Sequence, residues 1–253
     1  LEDAKREGLS LLQKVALEKW DLGGNKSLMS VHRVHYGPSR FLVLFRFHHM
    51  IGDGWSLGLF FPQLYTAYQA LLDGKLSEIF SSSISYVDYA LWQRRCLESE
   101  GGQVALGYWV ERLKGGNPVL DLPTDYIRPT TPTGKGDTVS LAIEGELLSQ
   151  LRECASEQLV TVPVLLMSSL YLLLNQYSGE DDICVGMPVA NRPTSEMELM
   201  FGFFANTLAL RLNPEREVQT GEALVKSVSE VMREAQRHQE IPFEAVVQAA
   251  SPE

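Results

Sequence analysis

The sequence has little cysteine. Its three cysteines, Cys96, Cys154 and Cys184, are widely separated and form no CxxC pair. An odd and scattered set predicts neither a disulfide framework nor a zinc ribbon. A reducing compartment, the cytoplasm, is therefore the expected location.

The sequence also lacks a long apolar run. Its longest, residues 164–174, contains Ser168 and Ser169 and is shorter than the roughly 20 residues that cross a bilayer. No basic-then-apolar signal peptide opens the sequence. Because it starts at Leu1 inside a charged helical pattern, we expect it to be a piece of a longer polypeptide.

Cations are outnumbered. The sequence has 22 Lys and Arg against 32 Asp and Glu, a net charge of −10. Nucleic acids and anionic membranes both bind clustered cations, so neither is expected as a partner. The hydrophobic share of 45% and the charged share of 21% are typical of a globular protein with an apolar core.

Hydrophobic periodicity predicts alternating helices and strands, and hence a mixed α/β or α+β class. A polar, Ser-rich stretch over 74–85 suggests a linker. The predicted helices cover 1–19, 54–72, 86–113 with a break near Gly101, 146–158, 162–177 and 221–239, and the predicted strands cover 32–36, 41–49, 138–143, 182–189 and 206–212.

Chemistry concentrates in residues 47–56, where two of the five histidines are adjacent at the end of an apolar strand. If that strand continues to His49, His48 and His49 point to opposite faces. One would then be the reactive group and the other a packing or positioning residue. The same opposition makes a metal ion shared by both rings improbable, so no metal site is predicted.

Purely structural interpretations exist for the same segment. Asp53 directly before a helix is a typical N-cap, and Gly52 and Gly54 are typical turn residues. Trp55 and Ser56 open the helix. Ser56 is expected to be an N-cap rather than a nucleophile, because no partner base is placed for it.

Four segments together resemble the motifs of nonribosomal peptide synthetase condensation domains. Residues 48–54 read HHMIGDG and match HHxxxDG. Residues 86–92 read YVDYALW, residues 201–207 read FGFFANT and precede Arg211, and residues 238–244 read HQEIPFE. The four occur in the family's order, although the family's first and last motifs are absent.

The resemblance implies a chloramphenicol acetyltransferase-like, two-lobed, V-shaped sandwich, here incomplete. Residues 1–80 would be the latter part of the N-terminal lobe and residues 81–253 most of the C-terminal lobe. The domain would join an upstream acyl or peptidyl thioester to the amine of a downstream aminoacyl thioester. No cofactor would be bound, since both substrates would ride on phosphopantetheine arms of donor and acceptor peptidyl carrier domains, near an adenylation domain.

The resemblance also suggests site residues. The candidate catalytic residues are His49, Asp53, Gly54 and His48. By the resemblance, His49 is the principal active-site residue, Asp53 is a structural support and Gly54 makes a backbone contact.

Arg192, Asn206, Trp55 and Ser56 are the candidate channel or supporting residues. Arg192 would either pair with Asp53 or be an exposed loop residue. Asn206 would line the channel or serve a turn.

The role of His49 has two possible forms. Imidazole titrates near neutral pH and could accept the amine proton. An α-amino group has an ordinary pKa of about 7.7–8.0, so a fair fraction is already nucleophilic at neutral pH. His49 could therefore instead orient the amine or hydrogen-bond the intermediate.

Two other functions compete with condensation. One is a coenzyme A-dependent acyltransferase of the same superfamily, which would share only HxxxDG. The other is a non-catalytic docking module of a synthetase. The three further motifs disfavour the first, and intact His49 and Asp53 disfavour the second.

Overall fold

The structure is a computed structural model that describes residues 1–24, 27–75, 84–116, 119–127, 129–131, 133–134, 136–213 and 220–250. These residues form nine helices and four strands. In chain order they are α1 (Glu2–Ala16), β1 (Met29–Gly37), β2 (Arg40–Phe47), α2 (Gly54–Leu72), α3 (Tyr86–Glu98), α4 (Glu100–Leu113), α5 (Gly145–Glu157), α6 (Val162–Ser178), β3 (Ile183–Val189), α7 (Ser195–Glu198), β4 (Asn206–Leu212), α8 (Gly221–Arg237) and α9 (Phe243–Ala250). The mixed class predicted from periodicity is confirmed.

The chain divides into two compact units. The first contains residues 1–93 and 190–205, and the second contains residues 94–189 and 206–253. Residues 190–205 follow β3 in the chain and precede β4, yet belong to the first unit. The assignment of 1–80 and 81–253 to two lobes of a larger fold stays a prediction.

The first unit is built on an antiparallel hairpin of β1 and β2, in which Val31 is opposite Phe45. Helix α1 packs against both strands and buries Leu12. Phe45 and Phe47 each meet the ring of Phe60 on α2 edge-on, with ring centroids 4.9 Å apart. Aromatic packing therefore fixes α2 against the strand that leads into the histidine segment.

The second unit carries the larger apolar core. Its hairpin pairs β3 with β4, with Val185 opposite Leu210. Helices α6 and α8 pack on each other, and α9 packs on α4. The most deeply buried residues of this core, all at most 2% exposed, are Trp109, Ile183, Leu208, Leu210, Val228, Ala235 and Val246.

Two expectations about secondary structure need correction. Residues 138–143 form no strand, and Val139 and Leu141 are exposed, because none of the described strands lies beside them to supply hydrogen bonds. The predicted helical break near Gly101 is confirmed: it falls at Ser99, whose hydroxyl caps α4 by accepting from the amide of Gly102 at 3.1 Å. Helix α9 lies in a segment for which no helix was predicted. The predicted linker lies largely outside the described residues, at 76–83.

A single helix that crosses a bilayer needs about 20 predominantly apolar residues, and the described helices are shorter or more polar. None of them alone is both long and apolar enough to span a bilayer; α5 and α6, bent by 100° at their junction, would meet that requirement only as a pair.

Candidate active site

The histidine segment forms a short turn between β2 and α2. Strand β2 ends at Phe47, and residues His49–Ile51 form one turn of 3₁₀ helix. His48 lies between them in extended conformation and caps the turn, since its Nδ1 accepts from the amide of Met50 at 3.1 Å. The expectation that the strand continues to His49 is therefore wrong, and the two-face argument for the imidazoles no longer applies.

His49 is exposed at the start of this turn. Its ring meets the ring of Phe203 edge-on, with centroids 5.4 Å apart. This edge-on contact orients the exposed imidazole of His49 against the ring of Phe203.

The two glycines beside Asp53 differ in their surroundings. A Cβ on Gly52 would lie 2.8 Å from the ring of Phe201, so only glycine allows that ring to pack there. A Cβ on Gly54 would meet no described atom within 4 Å. Packing thus explains Gly52, whereas Gly54 faces open space, as a backbone contact for a substrate would require.

Asp53 is the hydrogen-bond centre of the first unit. Its carboxylate caps α2 by accepting from the amide of Ser56 at 2.9 Å, so Asp53 is the N-cap and the N-cap role predicted for Ser56 is wrong. The same carboxylate accepts from the amides of Phe204 at 3.0 Å and Ala205 at 3.2 Å. It thereby joins the start of α2 to the motif at 201–207.

Arg192 completes this centre. Its Nη2 donates to Oδ1 of Asp53 at 3.1 Å, and both side chains are almost fully buried, 1% exposed for Arg192 and 4% for Asp53. Its Nη1 donates to the carbonyls of Met197 and, at 2.6 Å, Met200. Of the two possibilities for Arg192, the structure contains the ion pair with Asp53.

Competing effects set the pKa of Asp53. Burial raises the pKa of the Asp53 carboxyl, whereas hydrogen bonds from Ser56 and Phe204 and the charge of Arg192 lower it. The lowering effects prevail, so the pKa of Asp53 lies below its ordinary value of 3.8. The carboxylate is therefore ionised at neutral pH, as the buried pair requires.

Ser56, one of the candidate channel or supporting residues, joins the same network through a bridge to Gly202 that sequence reasoning did not predict. Its Oγ lies 2.9 Å from Oδ1 of Asp53 and 2.7 Å from the carbonyl of Gly202, and it accepts from the amide of Gly202 at 3.1 Å. A hydroxyl has one proton and two acceptor sites, so it suits this bridging position.

Trp55 holds a neighbouring segment. Its indole Nε1 donates to the carbonyl of Glu198 at 2.9 Å, and its ring lies 5.9 Å from the guanidinium of Arg192. Trp55 thus fixes the end of α7. The same helix contains Met197, whose carbonyl accepts a hydrogen bond from Arg192.

The motif at 86–92 also contacts the motif at 201–207. The hydroxyl of Tyr86 donates to the carbonyl of Phe203 at 2.7 Å, and the ring of buried Tyr89 lies 4.5 Å from the ring of Phe204. Burial raises the pKa of Tyr89 to about 12. Tyr89 is therefore a packing residue of the first unit, while Trp92 is half-exposed.

Asn206 belongs to the second unit and serves the fourth motif. Its Nδ2 donates to the carbonyls of Gln239 at 2.8 Å and Ile241 at 2.7 Å, and its Oδ1 accepts from the amide of Phe243 at 3.0 Å. The buried amide thus directs its hydrogen bonds to the backbone of residues 239–243. This arrangement is structural support and resembles the turn role rather than a channel wall.

A metal centre is not formed by the described residues. Within them, no group of three or more His, Cys, Asp and Glu side chains is placed to hold an ion.

The sequence matches a known family along nearly its whole length. A family model described as the condensation domain matches residues 2–253. This chain belongs to the condensation-domain family.

Curated relatives are synthases that are much longer than this chain. A linear gramicidin synthase of Brevibacillus parabrevis is 37% identical over 249 residues, which are 98% of this chain and 5% of that protein. Bacitracin synthase 1 of Bacillus licheniformis is 36% identical over 247 residues, which are 98% of this chain and 4% of that protein.

Solved structures share the fold. The X-domain from teicoplanin biosynthesis matches with a TM-score of 0.86 at 25% identity, over 96% of this chain and 55% of that one. A four-domain nonribosomal peptide synthetase bound to AMP and glycine matches with a TM-score of 0.75 at 28% identity, over 99% of this chain and 19% of that one. The first condensation domain of the calcium-dependent antibiotic synthetase matches with a TM-score of 0.66 at 22% identity, over 99% and 55%. The expected condensation-domain fold is thereby confirmed.

Proposed function

We propose that this chain forms amide bonds in nonribosomal peptide synthesis, between an upstream acyl or peptidyl thioester and the amine of a downstream aminoacyl thioester. The family membership and the synthase relatives support this assignment. The observation that carries it is the histidine turn: an exposed His49 follows His48, which caps the turn, and precedes a buried, ion-paired Asp53.

The reaction transfers an acyl group from sulfur to nitrogen. The amine nitrogen attacks the thioester carbonyl carbon and forms the new C–N bond. The tetrahedral intermediate carries an oxyanion, and its collapse breaks the C–S bond. The proton lost by the nitrogen ends on the released thiol, so no oxidant or further reactant is needed.

His49 has two possible roles in these steps, as base for the amine proton or as a hydrogen-bonding group that orients the amine or stabilises the intermediate. Asp53 and Arg192 are too buried to contact a substrate, so their role is to hold the turn. The open space beside Gly54 would admit the substrate close to the backbone.

The partners follow from the same proposal. The substrates would arrive on phosphopantetheine arms of donor and acceptor peptidyl carrier domains, with an adenylation domain nearby, and this domain would bind no cofactor of its own. The cytoplasmic location stays a prediction.

The test is amide formation between loaded carrier domains. A panel of donor carriers bearing acyl-aminoacyl groups and acceptor carriers bearing aminoacyl groups is mixed with the chain, and intact-protein mass spectrometry follows the acyl mass onto the acceptor. We expect His49→Ala to lower the rate by about 10²–10⁴-fold if His49 is the base. A smaller loss with an unchanged pH profile would assign the orienting role.

The matched control is His35→Ala, which removes another exposed histidine, on β1. It should leave the rate unchanged, and both variants should unfold within about 0.5 kcal/mol of the parent. Transfer from a free coenzyme A thioester in place of the carriers would overturn the proposal in favour of the acyltransferase. Carrier binding without any transfer would overturn it in favour of the docking module.

A further inference from the structure

We propose that Phe203 is a positioning residue whose ring holds the imidazole of His49 in one orientation, and that Tyr86 fixes the backbone from which this ring projects. The contacts themselves stand on the structure, and their importance for the reaction rests on the proposed function.

The imidazole of His49 depends on one neighbour for its orientation. Among the residues that the structure describes, it makes no hydrogen bond or ion pair, and its aromatic contact is the ring of Phe203, with centroids 5.4 Å apart. An exposed histidine otherwise divides its time among about three wells of χ1 and two of χ2. A ring contact that favours one of these conformers raises the share of molecules in which the imidazole is placed for reaction.

Phe203 suits this role because its backbone is fixed on both sides. The hydroxyl of Ser56 accepts from the amide of Gly202 at 3.1 Å and donates to its carbonyl at 2.7 Å. On the other side, the amide of Phe204 donates to the carboxylate of Asp53 at 3.0 Å. The half-buried ring of Phe203 therefore projects from a segment that is tied to the start of α2, directly after the histidine turn.

Tyr86 holds the carbonyl of Phe203 itself. The Tyr86 hydroxyl donates to this carbonyl at 2.7 Å. A Cβ on Gly202 would collide with the ring of Tyr86, so the two pack closely, and the ring of Phe204 meets that of Tyr86 edge-on with centroids 5.2 Å apart. Burial raises the pKa of the Tyr86 hydroxyl, which therefore keeps its proton and stays a donor at neutral pH.

A second histidine–phenylalanine pair in the first unit provides a matched control. The rings of His35 and Phe41 lie 5.9 Å apart on the hairpin, and both residues are exposed. Phe41→Leu therefore removes the same kind of contact at a place without a proposed role. Tyr65→Phe, at an exposed tyrosine on α2, is the control for Tyr86→Phe.

The first experiment observes the contact without any substrate. NMR follows the nuclear Overhauser effect between the ring protons of His49 and Phe203, with His49→Ala to assign the histidine signals. We expect this effect in the parent and in Phe203→Tyr, and in Phe203→Leu a shift of the His49 ring signals toward their values in the unfolded chain. Phe41→Leu should shift only the signals of His35. Absence of the effect in the parent, or His49 signals that do not change in Phe203→Leu, would overturn the proposal.

The second experiment measures amide formation between the loaded carriers. We expect Phe203→Leu to lower kcat by about three- to tenfold with KM for both carriers unchanged, because an unconstrained ring spends only part of its time in the right orientation. Phe203→Tyr keeps an aromatic ring and should restore the rate. A loss in Phe203→Tyr equal to that in Phe203→Leu would overturn the role of the ring.

A double-mutant cycle tests the part played by Tyr86. Tyr86→Phe should lower kcat by less than Phe203→Leu does, and it should have no further effect in the Phe203→Leu background, because Tyr86 acts through that ring. Equal losses in both backgrounds would overturn this step.

Phe41→Leu and Tyr65→Phe should leave kcat unchanged, and urea unfolding checks that every variant is folded under the assay conditions. If the NMR contact is found and even the parent makes no amide, the orientation of His49 stands and the proposed function fails.

Discussion

Two aspartate–arginine pairs, one in each unit, are built on opposite principles. In the first unit Asp53 and Arg192 are almost fully buried, and their closest approach is 3.1 Å. In the second unit Asp182 and Arg211 are 24% and 12% exposed, and they form two parallel bonds of 2.7 and 2.6 Å. The more exposed pair has the tighter and more regular geometry.

The difference lies in what else each pair holds. Arg211 also donates to the carbonyls of Arg112 at 3.1 Å and Lys114 at 2.8 Å, at the end of α4, so it fastens one helix end to β4. Asp53 accepts from the amides of three residues, Ser56, Phe204 and Ala205. The Asp53 carboxylate does not form two parallel bonds with Arg192, because its oxygens also accept hydrogen bonds from the backbone of two separate segments. The comparison teaches that burial and connectivity, rather than pair distance, show which pair organises the candidate site.

The largest expected effect is the removal of the buried carboxylate. Asp53→Ala should lower the free energy of unfolding by about 3–5 kcal/mol, because Arg192 is left buried and unpaired. Asp182→Ala should cost less, about 1.5–3 kcal/mol, since water can partly solvate Arg211. Urea unfolding followed by circular dichroism compares the two variants. Equal costs would remove the distinction drawn between the pairs.

The glycines beside Asp53 give the next effect. Gly52→Ala places a methyl group 2.8 Å from the ring of Phe201 and should cost about 1–3 kcal/mol through overpacking. Gly54→Ala meets open space and should change stability by less than about 0.5 kcal/mol, although it would crowd a substrate. Thermal unfolding and the carrier assay together check this contrast. A destabilised Gly54→Ala with normal activity would contradict it.

A smaller effect is expected at the less buried pair, Asp182 and Arg211. Arg211→Lys keeps the charge but loses the two parallel bonds to Asp182, so it should cost about 1 kcal/mol. The matched change Arg192→Lys should cost more, because one ammonium group cannot reach both Asp53 and the carbonyl of Met200. Denaturant midpoints of the two variants measure the difference, and a larger loss at Arg211 would reverse the comparison.

The smallest effect is a slope in the pH dependence of stability. The pKa of Asp53 is lower in the folded protein than its ordinary value of 3.8. The unfolded chain therefore binds more protons below that value. The stabilising contribution of Asp53 is complete above pH 3.8 and is lost as the pH falls through the folded pKa.

Asp53→Asn removes the titrating group and isolates this effect. The stability difference between the parent and Asp53→Asn should shrink as the pH falls below 3.8. Unfolding in urea at several acidic pH values measures it, with Asp182→Asn as the parallel series. A constant difference between the parent and Asp53→Asn would contradict the lowered pKa.

Local patterns predicted the elements that carry the candidate site. The apolar strand before His48, the turn residues and the apolar helix after Gly54 were all found near their predicted positions. Asp53 as the N-cap of α2 follows from short-range chemistry and is confirmed. The same approach failed for residues 138–143, where a strand was predicted but no described strand lies beside them, and for α9, where no helix was predicted.

Long-range contacts were harder to predict. The two possibilities for Asn206 stayed open because its hydrogen-bond partners are more than 30 residues away, at Gln239, Ile241 and Phe243. The bridging role of Ser56 was missed because its other partner, Gly202, is 146 positions further along. The aromatic residues at 201–204 were the only sign in the sequence that this segment packs against another. Their presence does not indicate that Phe201 packs against Gly52.

The amino-acid order by itself determined the motifs, the family they indicate and most of the helices and strands, since these depend largely on neighbours within a few positions. Only the tertiary structure decided that Arg192 forms an ion pair with Asp53 and that Phe201 packs on Gly52. It also decided that the ring of His48 accepts a hydrogen bond from the amide of Met50. Periodicity reports which face of an element is apolar. It contains no information on which distant polar group will satisfy a buried charge, because that choice is made when the segments pack together.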